Sequence, residues 1–207
     1  MNVVVDWDGT VTVEDTLLMA LRRFVSAPVI DALEAKVDLG LADGKITHRE
    51  VMEREFALMT APLDDVVAFV VANARLRPGF TEFVRQFDPL ILSSGFHETI
   101  EPVLAREGVI ARVRANHVEP RPDGWRIRWV SDSECDTCGQ PCKRGSLPEP
   151  PFVYVGDGYS DRCAALAAER IFARDGLADH LDGIGTRYER FTDFRDVALA
   201  FGHAARF

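Results

Sequence analysis

The chain has 207 residues and a formal charge of −9 at pH 7, with 24 Lys and Arg against 33 Asp and Glu. That length suffices for one sizeable core and a small second lobe, and the negative balance disfavours a nucleic-acid backbone or an anionic membrane as principal partner. No apolar run approaches the roughly 18 residues of a membrane span, no basic-then-hydrophobic signal pattern opens the sequence, and the four cysteines are too few and too crowded for a secreted disulfide framework. The expectation is a reduced, cytoplasmic protein acting on a small molecule.

Residues 3–5 are a β-branched run without alternation, which predicts a central parallel strand covered on both faces. From about Asp15 to Arg75 the spacing becomes helical. Leu17, Leu18, Leu21, Phe24 and Val25 form one stripe, and Val51, Met52, Phe56 and Met59 another. Thr47-His48-Arg49-Glu50 has the spacing of a capping box. With no strand-like run among them, residues 15–75 read as an all-helical insertion into a main domain built from 1–14 and 76–207, and Arg77-Pro78-Gly79 as the returning turn. Helix and strand then alternate: a helix at 80–86, a strand at 90–92, and a helix at 98–107 closed by Gly108. This rhythm predicts an α/β fold with a doubly wound parallel sheet. Residues 113–118 and 125–130 flank Asp123-Gly124 and predict a β-hairpin. A strand at 152–155, an alanine-rich helix at 160–168 and a last short strand at 171–173 complete the pattern.

Ligands of doubly wound sheets bind beyond the carboxyl ends of the strands. Three predicted strands end in chemically loaded residues: Asp6-Trp7-Asp8-Gly9-Thr10, Ser93-Ser94-Gly95-Phe96, and Gly156-Asp157-Gly158-Tyr159-Ser160-Asp161, with Lys143 in the loop before the third strand. Asp6 and Asp8 are two apart, so in extended chain both project to one side, roughly 7 Å between Cα atoms. Asp157 adds a further carboxylate, and such a cluster needs a cation or a lysine to compensate its charge. Oxygen ligands with room for water suit Mg²⁺. Alone, Asp8-Gly9 reads as a turn, Ser93 as a helix cap and Lys143 as a surface charge. Their succession at three strand ends points to one composite site.

This ordered set resembles the haloacid dehalogenase superfamily of phosphohydrolases, in the branch that includes phosphoserine phosphatases and carries a helical cap between the first two motifs. The resemblance spans residues 3–173. It implies Asp6 as a nucleophile that becomes an aspartyl phosphate, and Asp8 as general acid and base. It also implies Mg²⁺ on Asp6, the Asp8 carbonyl and Asp157. Phosphoryl oxygens would be held by Thr10, Ser93, Ser94, Gly95 and Lys143, with Ser160 and Asp161 in support, Asp161 orienting Lys143 or a metal-bound water. Asp15 and Arg54 would meet the substrate from the cap. Two departures speak against phosphoserine: Ser160 stands where that subfamily has Asn, and Met52-Glu53-Arg54-Glu55 lies near where it uses an arginine. The chain is more similar to the methionine-salvage phosphatases of 2-hydroxy-3-keto-5-methylthiopentenyl-1-phosphate. The shared features are Cys135-x-x-Cys138-x-x-x-Cys142-Lys143 and Phe172-Ala173-Arg174-Asp175-Gly176-Leu177. The expectation is a Mg²⁺-dependent phosphomonoesterase acting on a small phosphorylated metabolite. Phosphoserine phosphatase, phosphotransferase and non-catalytic phosphoacceptor are the alternatives, and Asp8 argues against the last.

Cys135-x-x-Cys138 is a zinc half-site, but structural zinc takes four ligands, and beyond Cys142 only a distant group such as His117 offers itself. The favoured reading is therefore a metal-free loop that shapes the surroundings of Lys143, with a disulfide open as an alternative. Cys163, inside the predicted alanine-rich helix, reads as a small core residue. His48, His97, His117, His180 and His203 show no ligand spacing, and Trp125 and Trp129, four apart, read as packing on one face.

Overall fold

The β-branched run near the start of the chain becomes the middle strand of a sheet. In the computed structural model, which describes residues 2–33 and 46–204, β1 (Asn2–Val5) pairs in parallel with β2 (Leu90–Phe96) on one side and β5 (Phe152–Gly156) on the other. The sheet order is β4-β3-β2-β1-β5-β6-β7, with β3 at Arg112–Glu119, β4 at Arg126–Arg128, β6 at Arg170–Ala173 and β7 at Glu189–Arg190. All pairs are parallel except β3 with β4. Both faces of β1 are buried. Val3 and Val5 enter the core that holds Phe80, Ile100 and Phe172, whereas Val4 enters a second core with Tyr154, Ala164 and Leu177. A strand with two apolar faces has no use for alternation, which is why Val-Val-Val suits it.

Register brings the loaded strand ends together. Val5 pairs with both Ile91 and Val155. The residues that follow, Asp6 after β1, Leu92-Ser93 in β2 and Gly156-Asp157 at the end of β5, therefore emerge at one edge of the sheet.

Between 15 and 75 the described residues hold the helices Thr16–Phe24, His48–Phe56 and Leu63–Asn73, helical structure at 27–33, and no strand. Two of these starts are capped by side chains. Asp15 accepts the Leu18 amide at 2.8 Å, and Thr47 with Glu50 forms the expected capping box. The chain leaves and re-enters at one place: Thr12 bridges Leu76, the Val13 amide donates to Arg75 O (2.9 Å), and the Arg77 amide to Val11 O (2.7 Å). No helix among the described residues is long and apolar enough to cross a membrane.

The structure corrects the sequence reading in three places. First, the β3–β4 hairpin exists, but pairing stops at Glu119–Arg126, so residues 120–125 form its connection and Asp123-Gly124 is not a two-residue turn. Those residues instead dock the hairpin on the helix His48–Phe56. Gly124, at φ +112°, lies against the Ala57 carbonyl, and the Trp125 amide donates to Phe56 O (2.9 Å) and Met59 O (3.0 Å). The Trp125 ring stacks on Phe56, and its indole N–H reaches Ala61 O at 3.0 Å. Trp129 meets the same helix through Glu53 and Arg49, as their shared face required. Second, the alanine-rich stretch shrinks to a 3₁₀ turn, Tyr159–Asp161, and one helical turn, Arg162–Ala165, because the Glu169 amide is already claimed by Phe152 O as β6 approaches. Third, β6 is not the last strand: the two-residue β7, too short to leave a pattern in sequence, pairs beyond it, followed by the helix Phe194–Ala204.

The docking of Gly124 has a direct check. Both glycines have a left-handed φ, +112° at Gly124 and +65° at Gly108, but only at Gly124 would a Cβ also overlap the Ala57 carbonyl, since Gly108 has open space around it. Gly124→Ala is expected to lower unfolding stability by about 3 kcal/mol and Gly108→Ala by about 1 kcal/mol or less. Chemical-denaturant midpoints for the two variants provide the comparison.

Candidate active site

The first residue beyond β1, Asp6, is 5% exposed and receives the ammonium of Lys143. Lys143, itself 7% exposed, also donates to Asp161 Oδ1 at 2.7 Å. Asp161 is fully buried. It accepts Tyr154 Oη at 2.7 Å on the same oxygen, and the amides of Asp157 and Gly158, both at 3.0 Å, on the other. Asp157 accepts the Thr10 hydroxyl at 2.6 Å. Gly9 is needed beside it, because a Cβ there would collide with the Asp157 carboxylate.

One ammonium thus faces three carboxylates, and oxygens of Asp6, Asp157 and Asp161 lie within 4.8 Å of one another. Burial, then the charge of Asp161, raises Asp6 well above the ordinary carboxylate range against the pull of Lys143. Burial and Asp161 likewise push Asp157 up to about 6. Burial opposes the charge on Lys143, but Asp161 and Asp6 outweigh it and hold the ammonium protonated. Excess negative charge on clustered carboxylate oxygens beside an open cavity is a fitting place for a small hard cation.

Asp8 is placed differently. Its Oδ1 accepts both the amide (2.8 Å) and the hydroxyl of Thr16, the first residue of the helix Thr16–Phe24. Withdrawal from water, then the charge of Asp15, pushes Asp8 up to about 7. A side chain at Gly95 would meet Ser93 Oγ at 3.1 Å and Asp8 Oδ2 at 3.2 Å, so the glycine keeps open the space between them. Ser93 Oγ accepts the Gly95 amide at 2.8 Å.

Asp6, Asp8, Ser93, Ser94, Gly95, Asp157 and Ser160 line one cavity of about 400 Å³, together with Asp15 at its exposed side. Leu17, Leu18, Leu21 and Met52 add an apolar lining to the same cavity. Four expected residues are placed otherwise, Asp161 among them as the buried partner of Lys143. Thr10 is fully buried and holds Asp157. Lys143 approaches Asp6 from beside the cavity, where it lines a smaller one of about 50 Å³. Arg54 is exposed and lies off the cavity, since on the helix His48–Phe56 the inward face is His48, Met52 and Glu55.

Among the residues of the site that escaped the sequence reading are His48 and Arg77. His48 lines the cavity and stacks on Tyr159 at 6.3 Å; burial, then Lys143, pushes it down to about 4, so it is neutral near pH 7. Arg77, read only as part of a turn, is 7% exposed and donates to Thr10 O (2.8 Å), Gly9 O (2.6 Å) and Thr12 O (3.2 Å). It holds the loop that carries Asp6 and Asp8. A capping motif marked the helix of His48, but nothing local marks the reach of Arg77 across 65 or more positions.

Residues 3–166 match the family model of the haloacid dehalogenase-like hydrolases. The chain belongs to that family. It is 31% identical over 209 residues to the 2-hydroxy-3-keto-5-methylthiopentenyl-1-phosphate phosphatase of Geobacillus thermodenitrificans, covering 93% of this chain and 91% of that one. It is also 31% identical over 212 residues to the bifunctional enzyme MtnB/MtnX of Bacillus licheniformis; that match takes in 94% of this chain but only 48%, about half, of the longer protein. Among solved structures, a phospho-aspartyl intermediate analogue of phosphoserine phosphatase shares the fold, with a TM-score of 0.69 at 16% identity over 96% of this chain and 97% of that one. The chain is a phosphatase of the haloacid dehalogenase type.

Because Arg77 touches the loop and not the cavity, its replacement tests loop positioning. Arg77→Lys, which cannot reach three carbonyls at once, is expected to lower kcat about tenfold or more with KM little changed, and to lower stability by about 1–3 kcal/mol. Steady-state kinetics and thermal unfolding of the one variant check both; a raised KM at unchanged kcat would contradict the assignment.

Proposed function

We propose that this phosphatase is a Mg²⁺-dependent phosphomonoesterase that works through phosphorylated Asp6, and that its substrate is 2-hydroxy-3-keto-5-methylthiopentenyl-1-phosphate. The observation that carries the chemistry is a carboxylate, Asp6, held by a buried lysine at the floor of a cavity where a second carboxyl, Asp8, stands ready near neutral pKa.

In the proposed first step the Asp6 oxygen not bonded to Lys143 attacks phosphorus. The ester oxygen departs with its electron pair and takes a proton from Asp8. In the second, water attacks the phosphorus of the acyl phosphate, Asp8 takes back a proton, and Asp6 is released with inorganic phosphate. Ser93 and the main chain at Ser94 and Gly95 line the cavity where phosphoryl oxygens would lie, and Lys143 neutralises charge at Asp6. Asp6, Asp157 and the Asp8 carbonyl would hold Mg²⁺, since both oxygens of Asp161 are already occupied by donors. When bound, the ion supplies positive charge to the phosphoryl group and favours the ionised form of Asp6.

Residues 15–75 act, on this reading, as a cap over a core of 1–14 and 76–207. Three observations support the substrate: the leucine and methionine wall suits a methylthio-bearing tail, Arg54 is turned away from the cavity, and relatives with this activity in their names cover most of the chain. A second reading, phosphoserine hydrolysis, is favoured by Arg22 and Glu55, which line the same cavity with charges complementary to a zwitterion. A cytoplasmic location accords with a small-metabolite substrate.

Phosphate release measured with Mg²⁺ on the two esters separates these readings. The methylthio enol phosphate is expected to give a kcat/KM at least ~100-fold above that for phosphoserine, a margin of about 2.7 kcal/mol, and parity would sink the assignment. Asp6→Asn is expected to abolish turnover. Asp8→Asn is expected to slow it by about 10² to 10⁴ while leaving Mg²⁺ affinity largely intact, as read by calorimetric titration. A loss of affinity as large as that of Asp157→Asn would contradict the division of roles.

A further inference from the structure

Outside the phosphatase site, the described residues contain one other group of side chains with metal-ligand chemistry. Cys135, Cys138, Cys142 and Cys163 have their Sγ atoms within 4.8 Å of one another. We propose that these four cysteines form a four-thiolate zinc site, which fastens the Lys143 loop to the short helix after β5.

The fourth ligand that the sequence reading lacked is Cys163. It sits at the start of the helical turn Arg162–Ala165, half-buried, and meets the cysteine run instead of the core it was expected to fill. Cys135 Sγ and Cys163 Sγ are 3.7 Å apart. Tetrahedral zinc with bonds of about 2.3 Å sets its sulfurs about 3.8 Å apart, whereas a disulfide draws one pair to about 2.05 Å and leaves no reason for four to converge. All four thiols are free.

The backbone suits a thiolate at Cys135. The Thr137 amide points at Cys135 Sγ (3.4 Å), and the Gly139 amide closes a turn on Cys135 O (2.8 Å). Gly139 has φ +69° with nothing near its missing side chain, so the glycine serves the tight turn and not a close contact. Arg144 donates to the Cys163 carbonyl at 3.2 Å, which places a positive charge beside the site, and zinc with four thiolates carries a net charge of −2. Binding releases the thiol protons and moves no electrons.

The loop also needs such a fastening. Between Arg128 and Phe152 its regular structure is the single 3₁₀ turn Lys143–Ser146, and its apolar contribution to the core is slight. Yet the residue after Cys142 is Lys143, whose ammonium must be held between two buried carboxylates. A metal link contributes folding energy where a hydrophobic core cannot. The cysteines would be positioning residues, acting through Lys143. Soft sulfur ligands also separate the two metals: zinc for this site, Mg²⁺ for the oxygen-lined one.

The test uses the full chain, expressed with zinc and purified under reducing conditions without chelator. Elemental analysis is expected to give one zinc per chain. Titration of stripped protein with Co²⁺ is expected to produce the sulfur-to-metal charge-transfer and tetrahedral ligand-field bands of a four-thiolate site. Cys138→Ser, at an exposed side chain, and Cys163→Ser are each expected to weaken zinc binding by about 100-fold or more and to change the Co²⁺ spectrum. Stripping zinc is expected to lower phosphate release from a generic aryl phosphate in excess Mg²⁺, with Zn²⁺ at one equivalent restoring it and further Mg²⁺ failing to do so. Metal-free protein whose four thiols all alkylate and which gives no Co²⁺ charge-transfer bands would overturn the proposal. Oxidised cysteine pairs that form no metal site after reduction, one iron in place of zinc, or unchanged zinc affinity in Cys163→Ser would each overturn it as well. The wild-type Co²⁺ titration decides the matter even where a variant fails to fold, and none of these outcomes depends on which phosphate ester is the substrate.

Discussion

A buried ammonium shared by two carboxylates is the interaction on which the site depends. Lys143 lies between Asp6 and Asp161, all three almost withdrawn from water. Ions in such a place carry a desolvation penalty of several kcal/mol each, and only close pairing and full hydrogen bonding offset it. Asp161 meets that condition through Tyr154 and the amides of Asp157 and Gly158. The arrangement fixes the end of β5, the start of the 3₁₀ turn and the height of Asp6 above β1 together. Removing Lys143 would leave two buried carboxylates uncompensated, so the placing of both depends on it.

The same demand for satisfied polar groups explains how the loop after β1 is held. Its carbonyls at Gly9, Thr10 and Thr12 receive Arg77, which comes from the returning crossing of the helical segment. The outgoing crossing leads to Thr16, whose amide and hydroxyl hold Asp8. Both ends of the segment 15–75 are therefore bonded to the loop that carries Asp6 and Asp8. A shift of the first helical turn cannot leave Asp8 where it is. The β3–β4 hairpin adds a third tie through Trp125, packed under Phe56 at the far end of the helix His48–Phe56. A segment anchored in this way can bring its apolar wall to the carboxyls without disturbing the sheet beneath.

Much of this was legible in the sequence, and the reasons are local. The valine run defined β1, because a strand buried on both faces has to be continuously apolar. Alternating helix and strand signals defined the doubly wound sheet, and loaded residues at successive strand ends defined the edge where ligands collect. The capping box at Thr47 and Glu50 marked a helix start through contacts three residues apart. Asp6, Asp8, Ser93, Lys143, Asp157 and Asp161 could be grouped for the same reason: each follows a strand or sits in the loop beside one, and strand register carries them to a common edge.

What the tertiary structure alone decided are contacts between segments far apart in the chain. Arg77 reaching the Gly9–Thr12 carbonyls, Cys163 meeting the run at 135–142, and Gly124 docking under Ala57 leave no periodic or spacing signal, because each partner looks ordinary in its own neighbourhood. Arg54 shows the converse: it was a plausible substrate residue by position, but two steps along a helix turn a side chain by about 200°, and Met52 took the inward face. Sequence determined which elements form and which chemistry gathers at the sheet edge, since both follow from short-range patterning. Which side chains close the site around that chemistry depended on long-range packing, which only the folded chain specifies.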